Sequence, residues 1–193
     1  MDEKKAICIY GASSSLIDVA YKEAAYRTGR LVAERGMNLV SGGGRSGLMA
    51  SAIEGALDAG GKAIGVLPAF MIERGWHHPM LTETLTTSDM HERKALMAEM
   101  STGAIALPGG CGTLEELLEI ITWRQLNLYH GRVVILNVNG YYDPLILMLE
   151  RTIEEGFMHE DHRALWSVAT SPEEAVDIVT GPADVIEFSQ KIS

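Results

Sequence analysis

Apolar residues recur along the chain in short β-rich runs, each separated from the next by a stretch in which apolar and polar positions repeat at helical spacing. KAICIYG leads into a helical pattern over about 18–35, and MNLVS into one over about 46–59. KAIGVLP follows, then GAIALP with a helix over about 112–127, and RVVILNV with one over about 142–156. Strands alternating with helices imply parallel neighbours, because a parallel pair needs a crossover connection. The expected fold is α/β: a Rossmann-like, doubly wound, mainly parallel sheet with helices on both faces. Residues 68–87, PAFMIERGWHHPMLTETLTT, fit neither period and are expected to form a mobile loop near a site or an interface. After residue 156 the pattern shortens to FMHEDHRALW, a run SVATS and a helix PEEAVDIV, with Ser171 as cap and Pro172 in the first helical position. This end is expected to cover the sheet edge.

A chain of 193 residues suits one nucleotide-binding domain over 1–193. Its 47% apolar and 22% charged residues are those of an ordinary globular protein. The first residues, MDEKKAICIYGASS, contain too short an apolar run for a signal peptide, and no stretch reaches transmembrane length, so a cytoplasmic protein without membrane contact is expected. Cys8 and Cys111 lie far apart and are expected to be thiols. The net charge of −10 argues against nucleic acid as partner, since such binding needs clustered cations along many phosphates. It does not argue against one small phosphate ligand, which a few backbone N–H groups can hold.

Three strand-to-helix loops are rich in small residues: GASSS at 11–15, SGGGRSG at 41–47 and PGGCGT at 108–113. A loop that leaves a strand and enters a helix aims free N–H groups and the positive end of the helix dipole at one point, which favours an anion. Gly109, Gly110 and Gly112 would allow positive φ and a close approach to bare backbone, and Thr113 adds a hydroxyl donor. The second loop formally matches G-x-G-x-x-G, but the next strand ends in Val66, Leu67 and Pro68 rather than in an acid that could hold a ribose. No G-x-x-x-x-G-K-[ST] is present either, so a nucleoside monophosphate fits better than a dinucleotide or triphosphate. Glu115 and Glu116 follow on the first helical turns. Adjacent helical positions point about 100° apart, so one of the two is expected to face the ligand and the other to turn away.

PGGCGTLEE, MHERK (90–94) and SGGGRSGLM together resemble the LOG ("Lonely guy") family of cytokinin-activating phosphoribohydrolases, often mislabelled lysine decarboxylases. The family pattern P-G-G-x-G-T-x-x-E stands here as Pro108 to Glu116, and the similarity spans about residues 5–180. The resemblance implies hydrolysis of a nucleoside 5′-monophosphate, N6-prenyl-AMP or AMP itself, to free base and ribose 5-phosphate, as in an AMP nucleosidase. It needs no cofactor and no metal. It implies Arg93 and Glu116 as the catalytic pair. Gly43, Gly44, Met90, Lys94, Gly109, Gly110, Cys111, Gly112, Thr113 and Glu115 would contact the nucleotide, with Thr122 nearby on the same helix. An acidic residue from the loop before MHERK is also usual in the family, and Glu73 and Glu83 both remain open for that role.

The chemistry is consistent with these types. Cleaving a nucleoside bond builds positive charge on the ribose, which a fixed carboxylate stabilises, whereas a guanidinium stays charged and acts electrostatically. His159 and His162 could pair on a metal but lack an evident third ligand. Trp123 is expected to pack inward or against a partner chain. The helix LEELLEIITWRQLNLY is apolar on more than one face, which a homodimer would bury. Two rivals stand beside this reading: a pyridoxal phosphate decarboxylase using Lys62 or Lys94, and a non-enzymatic nucleotide-binding protein.

Overall fold

The computed structural model describes residues 6–182; Lys5, with which the first expected strand begins, lies outside them. The chain runs β1 (Ala6–Tyr10), α1 (Val19–Glu34), β2 (Asn38–Ser41), α2 (Gly47–Asp58), β3 (Ala63–Pro68), α3 (Ala69–Glu73), β4 (Glu83–Thr87) and α4 (Met90–Glu99). It continues with β5 (Gly103–Ala106), α5 (Cys111–Gln125), β6 (Arg132–Leu136), α6 (Asp143–Glu154), β7 (Ser167–Ala169) and α7 (Pro172–Thr180). The strands form one seven-stranded sheet in the order β4-β3-β2-β1-β5-β6-β7, every pair parallel. The doubly wound fold is therefore present.

β1 shows why its residues make a central strand. All five are buried, and the pleat sends Ala6, Cys8 and Tyr10 into one core while Ile7 and Ile9 enter the other. The first core is closed by Met97 of α4, Leu117 and Ile120 of α5, and Ile153 of α6. Val32 of α1, Ile53 of α2 and Val176 of α7 close the second. Each such side chain contributes about 1.5–3 kcal/mol by leaving water. α1 and α2 touch backbone to backbone: a Cβ on Gly29 would stand 1.9 Å from the Ala52 carbonyl oxygen, so glycine is required there. Among the described residues, no helix is long and apolar enough to cross a membrane.

Two expectations are corrected. Residues 68–87 are not one irregular loop: they contain α3 and the edge strand β4, joined by a segment that is strapped to the glycine loop after β2. His78 N–H donates to the Gly43 carbonyl at 2.8 Å and Arg45 N–H to that of Trp76 at 3.0 Å. β4 escapes the hydrophobic pattern because ETLTT lies at the edge, with only Thr87 buried. The C-terminal part does more than cover an edge. β7 extends the sheet beyond β6, and α7, capped by Ser171 with Pro172 in its first turn, packs into the second core.

Candidate active site

The sheet order reverses at β1 and β5, and the crevice beyond their carboxyl ends is where an open α/β sheet accepts ligands. Three small-residue loops meet there and lock one another. Ala12 N–H donates to the Pro108 carbonyl at 3.2 Å, while the Ala12 carbonyl accepts from Leu48 N–H at 2.8 Å at the start of α2. Ser46 Oγ donates to the Ser13 carbonyl at 2.6 Å. The first turn of α2 is thus occupied by protein.

The first turn of α5 is different. Gly110 is its N-cap, and no side chain caps it. A Cβ built on Gly110 or Gly112 would meet nothing within 4 Å among the described residues, so both face open space. Gly109 is packed instead, with an added Cβ only 2.1 Å from Thr113 Oγ1. None of the three adopts positive φ, which corrects the sequence expectation: Gly109 lacks room for a Cβ beside Thr113, while Gly110 and Gly112 leave bare backbone facing the cavity. The space is a cavity of about 310 Å³. Its lining combines Gly110, Gly112 and Thr113 of the α5 mouth with Met49, Met90 and Arg93, the carboxylates Glu115 and Glu116, and Ser13 and Ser14 from the loop after β1.

α4 delivers Arg93 to this cavity. Its start is fixed by Asp89, whose carboxylate accepts from His91 and Glu92 N–H, both at 2.8 Å, and by Glu92, which reaches back to Ser88 N–H at 2.7 Å. Arg93 Nε donates to the Val66 carbonyl at 3.1 Å and Nη1 to Glu116 Oε1 at 3.0 Å. Both side chains are nearly out of solvent, at 7% and 11% exposure. Burial pushes the Glu116 carboxyl above its ordinary range, against the lowering pull of Arg93. Gly42 makes room for the guanidinium, since a Cβ there would lie 1.8 Å from Arg93 Nη2.

Lys94, the next residue, turns to α5 and bridges Glu115 and Glu119, the latter at 3.1 Å. Burial pulls its ammonium down, but the two carboxylates outweigh this and leave it raised.

Of the residues the sequence nominated, Met90, Arg93, Gly110, Gly112, Thr113, Glu115 and Glu116 converge on the cavity. The two glutamates do diverge, Glu116 to Arg93 and half-exposed Glu115 to Lys94, yet both border the space. Cys111 is exposed on the same turn. Gly109 backs the cradle. Gly43, at φ +65°, and Gly44 are buried behind it, Gly43 against Leu67 and Gly65. Lys94 is not among the walls, and exposed Thr122 donates to the Leu118 carbonyl at 2.8 Å on the outer side of α5. Trp123 packs against the first core, and His159 caps the short turn Glu160–Leu165 by accepting from Asp161 N–H. Gly42, Met49, Ser13 and Ser14 lie in stretches that the sequence marked, GASSS and SGGGRSGLM, but were not named as individual site residues. The unbroken glycine triplet was the available signal for Gly42, while Met49 looked like any core methionine.

A family model described as "Possible lysine decarboxylase" matches residues 49–179. The rice (Oryza sativa subsp. japonica) cytokinin riboside 5′-monophosphate phosphoribohydrolase LOG is 42% identical over 172 residues, 89% of this chain and 71% of its own length. The Arabidopsis thaliana enzyme LOG1 is likewise 42% identical over 172 residues, covering 89% and 81%. Among solved structures, the molybdenum cofactor binding protein of Rippkaea orientalis superposes with a TM-score of 0.71 at 23% identity, covering 93% of this chain and 97% of that one. The Chlamydomonas reinhardtii Moco carrier protein gives 0.70 at 24% identity, covering 91% and 95%. These two likenesses concern the fold. At 42% identity over nine-tenths of its length, and with PGGCGTLEE and MHERK meeting at one cavity, the chain belongs to the LOG phosphoribohydrolase family.

Proposed function

We propose that this chain hydrolyses the N-glycosidic bond of nucleoside 5′-monophosphates, N6-prenyl-AMP, AMP or both, and that it does so as a cytoplasmic homodimer. The observation that carries the reading is a buried Arg93–Glu116 pair beside a helix mouth whose glycines face open space. The names of the rice and Arabidopsis relatives support the substrate class.

In this reading the 5′-phosphate sits on the N–H groups of Gly110 to Thr113, where the helix dipole favours an anion. Anchoring it orients C1′ toward Glu116. The C1′–N bond breaks, its electron pair passes to the base nitrogen, and the base takes up a proton from solvent, to which Glu116 afterwards returns the one it accepts. Glu116 stabilises the positive charge on the ribose and accepts a proton from the water whose oxygen joins C1′. Its raised pKa makes it a stronger base near neutral pH. Arg93 keeps its proton, holds Glu116 in place and offsets negative charge on the departing base. Met90 and Met49 offer an apolar wall to the base.

The homodimer is supported by the outer stripe of α5 and the turn after it, where Leu118, Leu126 and Leu128 are 41%, 59% and 68% exposed. Thr122 shares that stripe.

The test is turnover. Incubation with AMP and with N6-prenyl-AMP is expected to yield free base and ribose 5-phosphate. Glu116→Ala is expected to keep nucleotide binding and lose release. Binding without release in the parent protein would replace the hydrolase reading with that of a nucleotide-binding protein.

A further inference from the structure

The carbonyls of the glycine loop after β5 are held from behind by two consecutive tyrosines. Tyr141 Oη donates to the Gly109 carbonyl at 2.7 Å, and Tyr142 Oη to that of Leu107 at 2.7 Å. These tyrosines are presented by a tight turn, Asn137 to Gly140, in which Asn139 and Gly140 both adopt positive φ, at 52° and 71°. Asn137 fixes the turn by accepting from Tyr142 N–H at 2.7 Å and donating to Asp143 at 2.7 Å. A left-handed asparagine is strained backbone, and here it serves to place two hydroxyls.

The two bonds differ in kind. Tyr142 is fully buried and completes the core. Tyr141 is 43% exposed and lines a second, mostly apolar cavity of about 220 Å³, together with Tyr21, Gly109 and Gly110. Gly110 borders both this cavity and the one beside Glu116. The Gly109 carbonyl and the Gly110 N–H belong to one trans peptide plane and so point in opposite directions. With the carbonyl drawn toward Tyr141, the N–H points away from that hydroxyl, and Gly110 lines the cavity that Glu116 also lines.

We infer that Tyr141 is a positioning residue: by holding the Gly109 carbonyl, its hydroxyl aims the Gly110 N–H at the substrate's phosphate. This rests on the phosphate placement proposed above. Without the hydroxyl, the peptide can rotate and present a carbonyl oxygen to an anion. The edge-on contacts of the Tyr141 ring, with Tyr21 at 6.0 Å and Tyr142 at 5.0 Å between centroids, do not depend on the hydroxyl.

The test is Tyr141→Phe, with Tyr21→Phe as a control that keeps the same ring contact. Four quantities are measured: the Kd of ribose 5-phosphate by calorimetry, the Ki of adenosine, which lacks the phosphate, and kcat and KM for AMP. Tyr141→Phe is expected to raise the ribose 5-phosphate Kd and the AMP KM together by about tenfold, the scale of one charge-assisted hydrogen bond. The Ki of adenosine should stay within about twofold, as should all four quantities in Tyr21→Phe. In spectra of labelled protein, the amide resonance of Gly110 should shift with ribose 5-phosphate in the parent and shift less in Tyr141→Phe. An unchanged Kd for ribose 5-phosphate in Tyr141→Phe overturns the inference and leaves the site intact. An equal loss of adenosine affinity also overturns it, by showing general distortion. If the parent protein fails to bind ribose 5-phosphate, the phosphate placement falls too.

Discussion

Gly42→Ala perturbs the candidate site without altering any group that would touch substrate. The new methyl would lie 1.8 Å from Arg93 Nη2 and 3.0 Å from its Cζ. Gly42 is not at positive φ, so alanine brings no backbone strain of its own. Relief to ordinary contact requires the guanidinium to withdraw by roughly 1.6 Å, more than the tolerance of a hydrogen bond. Arg93 is held at both ends, by the Val66 carbonyl and by Glu116, so withdrawal breaks at least one bond to a buried partner. Losing a charge-assisted bond costs about 1.5–3 kcal/mol, or roughly ten- to a hundredfold in kcat/KM. Glu116 would also lose the influence that opposes its burial, so the pH at which it ionises moves up. The assay is the pH dependence of kcat/KM for AMP. The acid limb is expected to shift to higher pH and the plateau to fall by that factor. A variant with the parent's plateau and limb would refute the claim that the Arg93–Glu116 contact supports turnover.

Two further outcomes follow from the same geometry. The ordinary Glu value is 4.5 and the folded value of Glu116 is higher, so this group's contribution to stability is complete below about pH 4.5 and is lost as pH rises through the folded value. Chemical unfolding of the parent and of Glu116→Gln should therefore show a stability difference, parent minus variant, that declines over that window; a flat difference would contradict the shift. Leu118→Arg, placed on the exposed stripe of α5, is expected to convert a dimer to a monomer in sedimentation, and an unchanged dimer would move the interface elsewhere.

What the sequence disclosed follows from how local each signal is. β1, β3 and β6 were legible because both faces of a central parallel strand are buried, which leaves an apolar run. β4 was not, since an edge strand of threonines and a glutamate carries no such run. α4 was noticed only as the motif MHERK. Nothing local in His-Glu-Arg-Lys says that Arg93 and Lys94 are both buried, because their partners Glu116 and Glu115 lie 23 and 21 residues downstream. The positive φ expected of Gly109, Gly110 and Gly112 is not observed, whereas Gly43 and Gly47 of the loop after β2 do adopt it. Tyr141 lay outside every motif, and only the folded chain brings its hydroxyl to Gly109.

In the proposed mechanism the mouth of α5 grips the 5′-phosphate while Glu116 confronts the anomeric carbon. A crystal structure of Glu116→Gln with AMP tests it most directly. Phosphate oxygens are expected within hydrogen-bond distance, about 2.7–3.2 Å, of the amide nitrogens of Gly110 to Thr113, with C1′ beside residue 116. A nucleotide bound elsewhere, with that helix mouth holding only solvent, would contradict it.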